Sequence, residues 1–387
     1  MHQIVSLLKR GVDVQIFALN KAEEEISEDF KKYGIDKRTH YINIPNNKIY
    51  RFLKALKIFL QDLPIAPFKI IKSLNFISYK KIAFSLIPLY VMDYFLRFNQ
   101  KFDIIHCHFG QRGIYGSCLK DAGIEGKLVT SFYGGDLSAF IRSEGPEVYK
   151  NLFKLGDLFL PLSKNFRDEL IKLGCPEEKI KILPIGIDTS KLNFIKRPED
   201  SITTIICIAR FVEKKGHKYL IKAISQVIKK NENVRCILVG DGPLMDEIKK
   251  ISSDLRIDKF VEFTGSVNPD KLPEFYGKSD IFVLASVKSS KGDMEGTPVV
   301  LIEAQAAGLP VVSTYHSGIP EIVKDNITGY LVNEKDIKGL ADKISYLISN
   351  PSKRTEMGKE GRKNILKNYD RNALSKKLLR FYEGIIE

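Results

Sequence analysis

The chain of 387 residues is long enough for two domains, because single hydrophobic cores seldom extend beyond about 250–300 residues. Hydrophobic residues make up 44% and charged residues 28%, which argues against wholesale disorder, collagen-like repeats and multi-span membrane architectures. The 61 Lys and Arg exceed the 47 Asp and Glu by 14, which favours an anionic partner such as nucleic acid, a membrane surface or a phosphorylated ligand.

Residues 48–101 combine positive charge with aromatic side chains. They hold ten Lys and Arg against two acidic residues, Asp62 and Asp93, and 11 of the chain's 39 Phe and Tyr. Rings at headgroup level and cations against lipid phosphates are typical of a membrane interface. The segment also fits helices that face a core and expose a basic face, and one helix can serve both roles with opposite faces.

The first half of the chain predicts an α/β domain whose first strand is missing. Residues 4–8 have the apolar spacing of an amphipathic helix, and a strand is predicted over 12–19. An α/β domain normally opens with a strand, and its absence would leave the edges of neighbouring strands exposed. Residues 48–100 are predicted to form helices that break near prolines. Further strands are predicted at 102–106, 128–131, 158–162 and 181–183, and a helix is predicted after the N-cap Ser163.

The alternation of strands and helices restarts near residue 186. Strands alternating with helices at this spacing predict parallel sheets, in which ligands usually bind at the carboxyl ends of the strands. We expect a first domain at 1–185, a second at 186–370, and a final helix at 371–387 that crosses back to the first. The second domain's strands are predicted at 203–209, 234–239, 260–264, 281–284 and 311–313, and helices at 217–229, 298–307 and 372–386.

The five cysteines show no CxxC pair, and Cys107, Cys207 and Cys236 lie in apolar runs. We interpret them as small buried hydrophobes in a reducing compartment, without disulfides or a metal site. The first residues lack a signal-peptide pattern, and no segment reaches about 18 uninterrupted apolar residues. Neither secretion nor a spanning helix is therefore predicted.

Two carboxylates eight positions apart, Glu295 and Glu303, enclose a Gly-Thr-Pro turn. The turn opens a predicted helix with Pro298 near its first position, and helix N-termini bind anions through free N–H groups. Glu303 can accept two hydrogen bonds from vicinal hydroxyls such as a ribose diol, and Glu295 can meet a second polyol. An acidic loop followed by an exposed helical glutamate fits the same residues.

Two further segments follow predicted strands. Arg210 and Lys215 come after the strand over 203–209, where two cations suit a diphosphate, with a solvated basic loop as the alternative. A Gly-Asp-Gly-Pro turn at 240–243 follows the next strand. It is not a dinucleotide fingerprint, because Met245 occupies the third glycine position, and alone it indicates only a tight turn.

In this order, the basic pair, the Gly-Asp-Gly-Pro turn and the spaced glutamates resemble the retaining, nucleotide-sugar-dependent glycosyltransferases of family 4. The resemblance is strongest to the branch that builds bacterial exopolysaccharides such as colanic acid. It implies an α/β, GT-B fold: two doubly wound Rossmann-like domains facing a central cleft, the first binding acceptor and the second the nucleotide sugar. The chain also matches the family around these motifs, over 106–110, 126–136, 291–303, 308–312 and 317–321.

The resemblance implies roles for individual residues. Arg210 and Lys215 would bind the donor diphosphate and stabilise the charge of the leaving group. Glu303 would hold the ribose, and Glu295 would act at the donor sugar. The chain has no Asp-x-Asp motif, which agrees with a family in which cations and helix dipoles replace a metal or other cofactor. Further donor-binding positions are Gly240, Asp241, Gly242, Gly265, Gly296, Thr297, Pro298 and Val299.

One segment departs from the family. Where relatives have a histidine facing the donor sugar this chain has Tyr133, and a phenol with a reference pKa of ~10 transfers protons poorly near pH 7. Either Tyr133 only orients the sugar or the enzyme is impaired. His108 is a candidate polar partner, with a backbone-held strand-end histidine as the alternative, and His106 is expected to be structural. Gly134, Gly135 and Asp136 are implied on the acceptor side.

The leading hypothesis is a retaining, metal-independent hexosyltransferase that uses a nucleoside diphosphate sugar and a lipid-linked saccharide in exopolysaccharide, capsule or lipopolysaccharide biosynthesis. It would be cytoplasmic and peripheral at the inner face of the plasma membrane, with residues 48–101 on anionic lipid. A catalytically impaired sugar-nucleotide-binding or scaffold subunit is the alternative, and the spaced glutamates argue against a GT-B epimerase. Nucleic acid is not expected, because no such motif occurs and apolar residues interleave with the charges.

Overall fold

The computed structural model describes residues 2–21, 28–98, 100–194 and 202–387. The chain forms two compact units. Their limits lie within a few residues of the boundaries predicted at 185/186 and 370/371, and most of the final helix is grouped with the first half of the chain. Unit 1 comprises Met1–Pro161, Arg167–Leu183 and Ser375–Glu387, and unit 2 comprises Leu162–Phe166 and Pro184–Leu374.

The strands are short apolar runs, and every named pair of strands is parallel, as their alternation with helices predicts. Within the described residues they are β1 (Ile16–Ala18), β2 (Thr39–Tyr41), β3 (Ile104–His108), β4 (Lys127–Phe132), β5 (Leu158–Pro161), β6 (Thr203–Ile208), β7 (Val234–Val239), β8 (Val261–Gly265), β9 (Ile281–Leu284), β10 (Val311–Thr314) and β11 (Gly329–Val332).

Some of the helices begin at side chains that accept hydrogen bonds from the free N–H groups of the first turn. Ser163 Oγ accepts the Phe166 N–H at 3.2 Å, as predicted for this N-cap, and Asn47 caps the first long helix. The described helices are α1 (His2–Leu8), α2 (Glu28–Lys32), α3 (Lys48–Asp62), α4 (Pro67–Ser73), α5 (Phe76–Phe84), α6 (Ile87–Phe98), α7 (Gly110–Asp121), α8 (Ala139–Glu144), α9 (Lys150–Leu155), α10 (Lys164–Lys172), α11 (His217–Ile228), α12 (Met245–Asp254), α13 (Leu272–Gly277), α14 (Val299–Ala306), α15 (Ile319–Ile322), α16 (Ile337–Ser349), α17 (Pro351–Asn368) and α18 (Arg371–Ile386).

Unit 2 is a doubly wound α/β unit on one six-stranded sheet. The strand order is β11-β10-β9-β6-β7-β8, so the direction of winding reverses between β6 and β9. Aliphatic side chains from these strands and from α11, α14 and α16 form one core around the sheet. The reversal leaves a crevice at the carboxyl ends of β6 and β9, where open parallel sheets bind ligands.

Unit 1 has two smaller sheets within the described residues, β1-β2 and β3-β4-β5. The helices predicted over 48–100 are α3 to α6, and their buried side chains, including Ile58 and Ile70, pack with α7 in a separate core. Among the described helices, none combines the length and the apolar character needed to span a bilayer. All five cysteines are free, and only Cys107 is partly exposed.

The structure departs from the predicted elements in three places. β1 is shorter than the strand predicted over 12–19, because the Val12 N–H still bonds back to Leu7 at the end of α1. Residues 181–183 form no named strand, although two of their N–H groups bond to carbonyls of β5. The strands β2 and β11, which are only three and four residues long, were not predicted from the sequence. Several helices were not predicted either, namely α2, α7, α8, α9, α13 and α15 to α17.

Candidate functional site

The polar residues predicted in unit 2 follow the carboxyl ends of neighbouring strands. Arg210 and Lys215 follow β6, the Gly-Asp-Gly-Pro turn follows β7, and Glu295 lies in the loop over 285–298 after β9. Because β6 and β9 flank the reversal of strand order, these loops lie along the crevice of the sheet. The structure thus brings segments that are up to 90 positions apart to one edge of unit 2.

Lys215 and Glu295 form an ion pair, with Nζ 2.8 Å from Oε2. Lys214 contributes a second cation, 3.8 Å from Glu295 Oε1 and 3.0 Å from Asp293. Glu295 is 5% exposed, and its Oε1 has no hydrogen-bond partner among the described residues. A buried carboxylate oxygen without a donor is costly, so a ligand hydroxyl that reaches it is stabilised.

Arg210 is exposed, and its guanidinium forms no hydrogen bond or ion pair within the described part of the chain. The backbone beside it is fixed, because the Phe211 N–H donates to Asp241 at 2.9 Å and the Leu244 N–H to Phe211 at 3.0 Å. A Cβ at Gly242 would lie 2.7 Å from the Phe211 carbonyl oxygen, so this approach requires glycine. An unpaired guanidinium on a fixed loop suits a phosphate group.

The residues after Lys215 fix the other end of its loop. Gly216 has φ of +69°, and a Cβ there would lie 1.7 Å from the Ala285 carbonyl oxygen. His217, the first residue of α11, is 3% exposed and stacks on Phe211 with ring centroids 4.1 Å apart. Burial and the nearby Lys215 lower the pKa of His217 to about 4, so the imidazole is neutral at pH 7. His217 therefore packs the loop without adding charge.

The N-terminus of α14 offers free backbone donors. The helix begins at Val299, with Pro298 as its cap residue. The N–H groups of Gly296, Thr297 and Val299 have no hydrogen-bond partner among the residues that the structure describes. Such groups carry partial positive charge and bind phosphate and hydroxyl oxygens. The predicted positions in this turn therefore present backbone donors.

Glu303, in the second turn of α14, is held by a tyrosine that sequence reasoning missed. Tyr276 Oη donates to Glu303 Oε2 at 2.7 Å, which leaves Oε1 without a partner among the described residues. Burial raises the pKa of Glu303, although the hydrogen bond from Tyr276 acts in the opposite direction. Burial also raises the pKa of Tyr276 well above its ordinary value. The two residues are 27 positions apart, so no local motif signals the pair.

Two predicted donor-binding positions shape strand ends. Gly265 ends β8 with φ of +71°, and its carbonyl accepts the Gly240 N–H at 2.9 Å. The exposed carboxylate of Asp241 accepts the N–H of its neighbour Gly242 at 2.6 Å. These contacts hold the backbone of the turn after β7 in one position at the edge of the crevice. They give the turn a structural role within unit 2.

In unit 1, β3 and β4 place His108 and Tyr133 side by side. Tyr133 Oη lies 2.5 Å from His108 Nδ1, and their rings stack with centroids 5.8 Å apart. Burial raises the pKa of Tyr133 to about 12 and lowers that of His108 to about 4, so both are neutral at pH 7. The neutral phenol and the neutral imidazole therefore share one hydrogen bond at Nδ1.

His106 has the structural role that the sequence predicts. Its Nδ1 lies 2.5 Å from Tyr382 Oη of α18, and its Nε2 lies 2.8 Å from Ser131 Oγ. Burial lowers the pKa of His106 well below its ordinary value. Because both ring nitrogens are engaged, this histidine attaches α18 to β3 and β4.

The carboxylate of Asp136 is enclosed by backbone N–H groups. It is 1% exposed, and its carboxylate accepts N–H groups from Gly110 at 3.0 Å, Tyr133 at 3.1 Å and Gly134 at 2.7 Å. Gly134 is buried as well, whereas Gly135 is exposed. Asp136 therefore holds the loop behind Tyr133, and Gly135 alone of these three presents backbone to a ligand.

The helices α3 to α5 carry an apolar surface that faces solvent. Eleven of the nineteen large hydrophobic side chains exposed among the described residues lie between Ile49 and Phe84. On α3 they recur at the spacing of one helix face, while Ala55 and Ile58 on the other face pack into the core. This apolar surface consists of Ile49, Tyr50, Phe52, Leu53, Leu56, Leu60, Ile65, Phe68, Ile71, Phe76 and Phe84.

No cluster of three or more His, Cys, Asp or Glu side chains arranged to hold a metal ion occurs in the described ranges.

Residues 2–191 match the family model described as Glycosyltransferase Family 4, and residues 188–364 match the model for Glycosyl transferases group 1. The putative colanic acid biosynthesis glycosyltransferase WcaL of Escherichia coli is 32% identical over 357 residues, 89% of this chain and 86% of that protein. The amylovoran biosynthesis glycosyltransferase AmsK of Erwinia amylovora is 32% identical over 352 residues, 88% of this chain and 84% of that protein.

Solved structures share the fold at lower identity. A glycosyltransferase from Rickettsia africae aligns with a TM-score of 0.74 at 18% identity, covering 100% of this chain and 94% of that chain. Anabaena HepE in complex with UDP and glucose aligns with a TM-score of 0.71 at 17% identity, covering 99% of this chain and 95% of that one. Both likenesses extend over both units.

Proposed function

Because the chain belongs to glycosyltransferase family 4 and has the GT-B fold, we propose that it transfers a hexose, with retention, from a nucleoside diphosphate sugar to a lipid-linked saccharide. The proposed process is exopolysaccharide biosynthesis, which is the process named for its relatives in E. coli and E. amylovora. The observation that carries the proposal is that Arg210, Lys215, Glu295 and the start of α14 lie along one crevice in unit 2.

The proposed donor places its diphosphate against these positive groups. The free guanidinium of Arg210 and the open N–H groups at 296–299 suit phosphate oxygens. Lys215 has three ammonium donors, so it can keep its bond to Glu295 and bind phosphate as well. These charges would stabilise the nucleoside diphosphate as the bond to the sugar breaks, without a metal ion or other cofactor.

The two glutamates present the same arrangement to the rest of the donor. In each, one carboxylate oxygen is held by a protein donor, Lys215 for Glu295 and Tyr276 for Glu303, and the other oxygen has no partner among the described residues. We infer that Glu303 receives the ribose hydroxyls and that Glu295 receives a hydroxyl of the sugar. A solved HepE structure that contains UDP and glucose supports a nucleoside diphosphate donor.

The proposed acceptor is delivered by a membrane. We infer that the apolar surface of α3 to α5 inserts into an anionic bilayer, because exposed Lys48, Lys57 and Lys81 accompany it. Apolar insertion and lysine–phosphate attraction then act together, and the protein is peripheral at the cytoplasmic face. His108 and Tyr133 are the proposed polar groups at the donor sugar, and the loop that contains Gly135 is proposed on the acceptor side.

A transfer assay on the intact protein tests the proposal. Labelled UDP-, GDP-, ADP- and TDP-hexoses are supplied with an isoprenoid-diphosphate-linked saccharide in vesicles. We expect one donor to label the lipid fraction, and NMR of the product to show the anomeric configuration of the donor. Binding of a donor without transfer or hydrolysis would contradict the enzymatic proposal and favour a sugar-nucleotide-binding subunit.

A further inference from the structure

A buried histidine and a glutamate hold the loop that carries Glu295. His316 follows β10, is 1% exposed, and accepts the backbone N–H of Glu295 on Nε2 at 3.0 Å. Its Nδ1 lies 2.5 Å from Glu334 Oε1. We propose that His316 and Glu334 are positioning residues for donor binding, an inference that rests on the proposed function of Glu295.

The contacts fix where the imidazole proton lies. The Glu295 N–H can only donate, so Nε2 of His316 is the acceptor and the proton is on Nδ1, facing Glu334. Burial opposes ionisation of Glu334, but hydrogen bonds from His316 and the Lys288 N–H outweigh it and lower its pKa. A neutral, singly oriented histidine therefore connects a carboxylate to the backbone of a proposed donor-binding residue.

The same carboxylate also holds the other end of the loop. Glu334 Oε2 accepts the Lys288 N–H at 2.9 Å, so the pair restrains the loop near both 288 and 295. Residues 285–298 contain no helix or strand, and such a segment keeps one shape only through contacts of this kind. Glu213 provides a third restraint by accepting the Ser290 N–H at 2.8 Å.

Displacement of this loop would move several donor-binding groups together. The free N–H groups of Gly296 and Thr297 directly follow the one that His316 accepts, and the Glu295 carboxylate is paired with Lys215. A shift of about 1 Å in groups that position a substrate can reduce the rate about 100-fold. His316 and Glu334 are thus expected to affect donor use without touching the donor.

A double-mutant cycle separates positioning from general stability. His316→Leu removes both hydrogen bonds, and we expect it to lower kcat/KM for the donor about 30-fold, mainly through KM. His316→Gln keeps one acceptor and one donor and should recover most of the loss. In the Glu295→Gln background, His316→Leu should lower kcat/KM by a smaller factor than in the wild type, because part of its effect is on the position of the Glu295 carboxylate. Independent, multiplicative losses would overturn the proposal.

Ile344→Ala is the control for stability, because Ile344 is fully buried in α16 and belongs to none of these contacts. At equal folded fraction it should leave kcat/KM for the donor unchanged. If Ile344→Ala and His316→Leu lower kcat/KM equally, the role of His316 is structural only, and the positioning proposal is wrong.

Hydrogen exchange gives a readout that does not require activity. Peptides covering 286–298 should exchange faster in His316→Leu and Glu334→Ala than in the wild type, and Ile344→Ala should not change them. Unchanged exchange in His316→Leu would contradict the proposed restraint even in an active enzyme. Faster exchange in a protein without transfer activity would support the restraint and contradict only the proposed function.

Discussion

The two units use apolar residues in different ways. Unit 2 places its Ile, Val and Leu inside, around a single six-stranded sheet, and leaves charged and glycine-rich loops at the strand ends. Unit 1 has smaller sheets and exposes eleven large hydrophobic side chains on α3 to α5. The loops of unit 2 therefore suit a small anionic ligand, whereas the exposed apolar surface of unit 1 suits a much larger partner.

The largest expected effect is loss of transfer when the cation after β6 is removed. Lys215→Ala takes away the ammonium that pairs with Glu295 and, in our proposal, with the donor diphosphate. We expect kcat/KM for transfer to fall about 10²–10³-fold, the range found when one transition-state donor is deleted. Lys229→Ala, which removes an exposed lysine at the end of α11, is the matched control and should leave kcat/KM unchanged. Equal activity of the two variants would refute the site in unit 2.

The next effect belongs to unit 1. Replacing Phe52, Leu56 and Leu60 with Ser removes apolar area from the exposed face of α3 and should weaken flotation with anionic vesicles about 100-fold. The control replaces three exposed residues of unit 2, Ile327, Tyr346 and Leu366, by Ser and should bind vesicles like the wild type. If both triple variants bind alike, the apolar surface has another partner.

A smaller effect is expected at the hydrogen-bonded pair of His108 and Tyr133 in unit 1. Tyr133→Phe removes the hydrogen bond to His108 Nδ1 and keeps the ring. We expect kcat for transfer to fall about tenfold, since the phenol is proposed to orient the donor sugar. Steady-state kinetics in both substrates measures this. An unchanged kcat would show that Tyr133 does not orient the sugar.

Tyr276→Phe tests how Glu303 is held. The variant leaves both carboxylate oxygens of Glu303 without a protein donor, and we expect donor KM to rise about fivefold with kcat nearly constant. Tyr369→Phe is a suitable control, because Tyr369 is also buried and hydrogen-bonded in unit 2, to a backbone carbonyl. If Tyr369→Phe impairs transfer more than Tyr276→Phe does, the effect of Tyr276→Phe is explained by loss of stability and not by the position of Glu303.

The smallest effect concerns pH. Burial lowers the pKa of His217 to about 4 in the fold, against about 6.5 when unfolded. The unfolded chain therefore binds more protons between these values, and stability falls as pH drops from about 6.5 towards 4. His217→Phe keeps the aromatic stack on Phe211 and removes the titrating group. Between pH 6.5 and 4 the Tm of this variant should therefore fall about 2–4 °C less than the Tm of the wild type. If the two proteins lose the same Tm over this pH range, His217 does not contribute to the pH dependence of stability.

Unit 2 was predictable because its signals are local and ordered. Three motifs are each recognisable within a short stretch of sequence: a buried strand followed by Arg210 and Lys215, a glycine turn, and two glutamates around the start of a helix. Since all strands are parallel, their carboxyl ends meet at one edge, and the order of motifs fixed the site. Tyr276, His316 and Glu334 were missed, because they reach their partners across 18 to 27 positions through packing alone.

Unit 1 was predicted less completely. The charge and aromatic content of 48–101 suggested a membrane interface, and the prolines gave the helix breaks, but composition does not determine which side chains face outward. The structure shows that α3 uses Ala55 and Ile58 for the core and turns larger residues, such as Phe52, to solvent. The contacts of Asp136 could not be predicted for a similar reason, since only the fold shows that its carboxylate is enclosed by backbone N–H groups.

The central claim is that unit 2 binds a nucleoside diphosphate sugar, and a thermal-shift screen tests it most directly. A ligand that binds only the native protein stabilises it by about 2.7 kcal/mol at 100 times its Kd. We predict that one of UDP-, GDP-, ADP- and TDP-hexose raises the Tm of the wild type by several degrees, and that Glu303→Ala and Lys215→Ala abolish the shift while folding normally. No shift with any of the four, or the same shift in both variants, would contradict the claim.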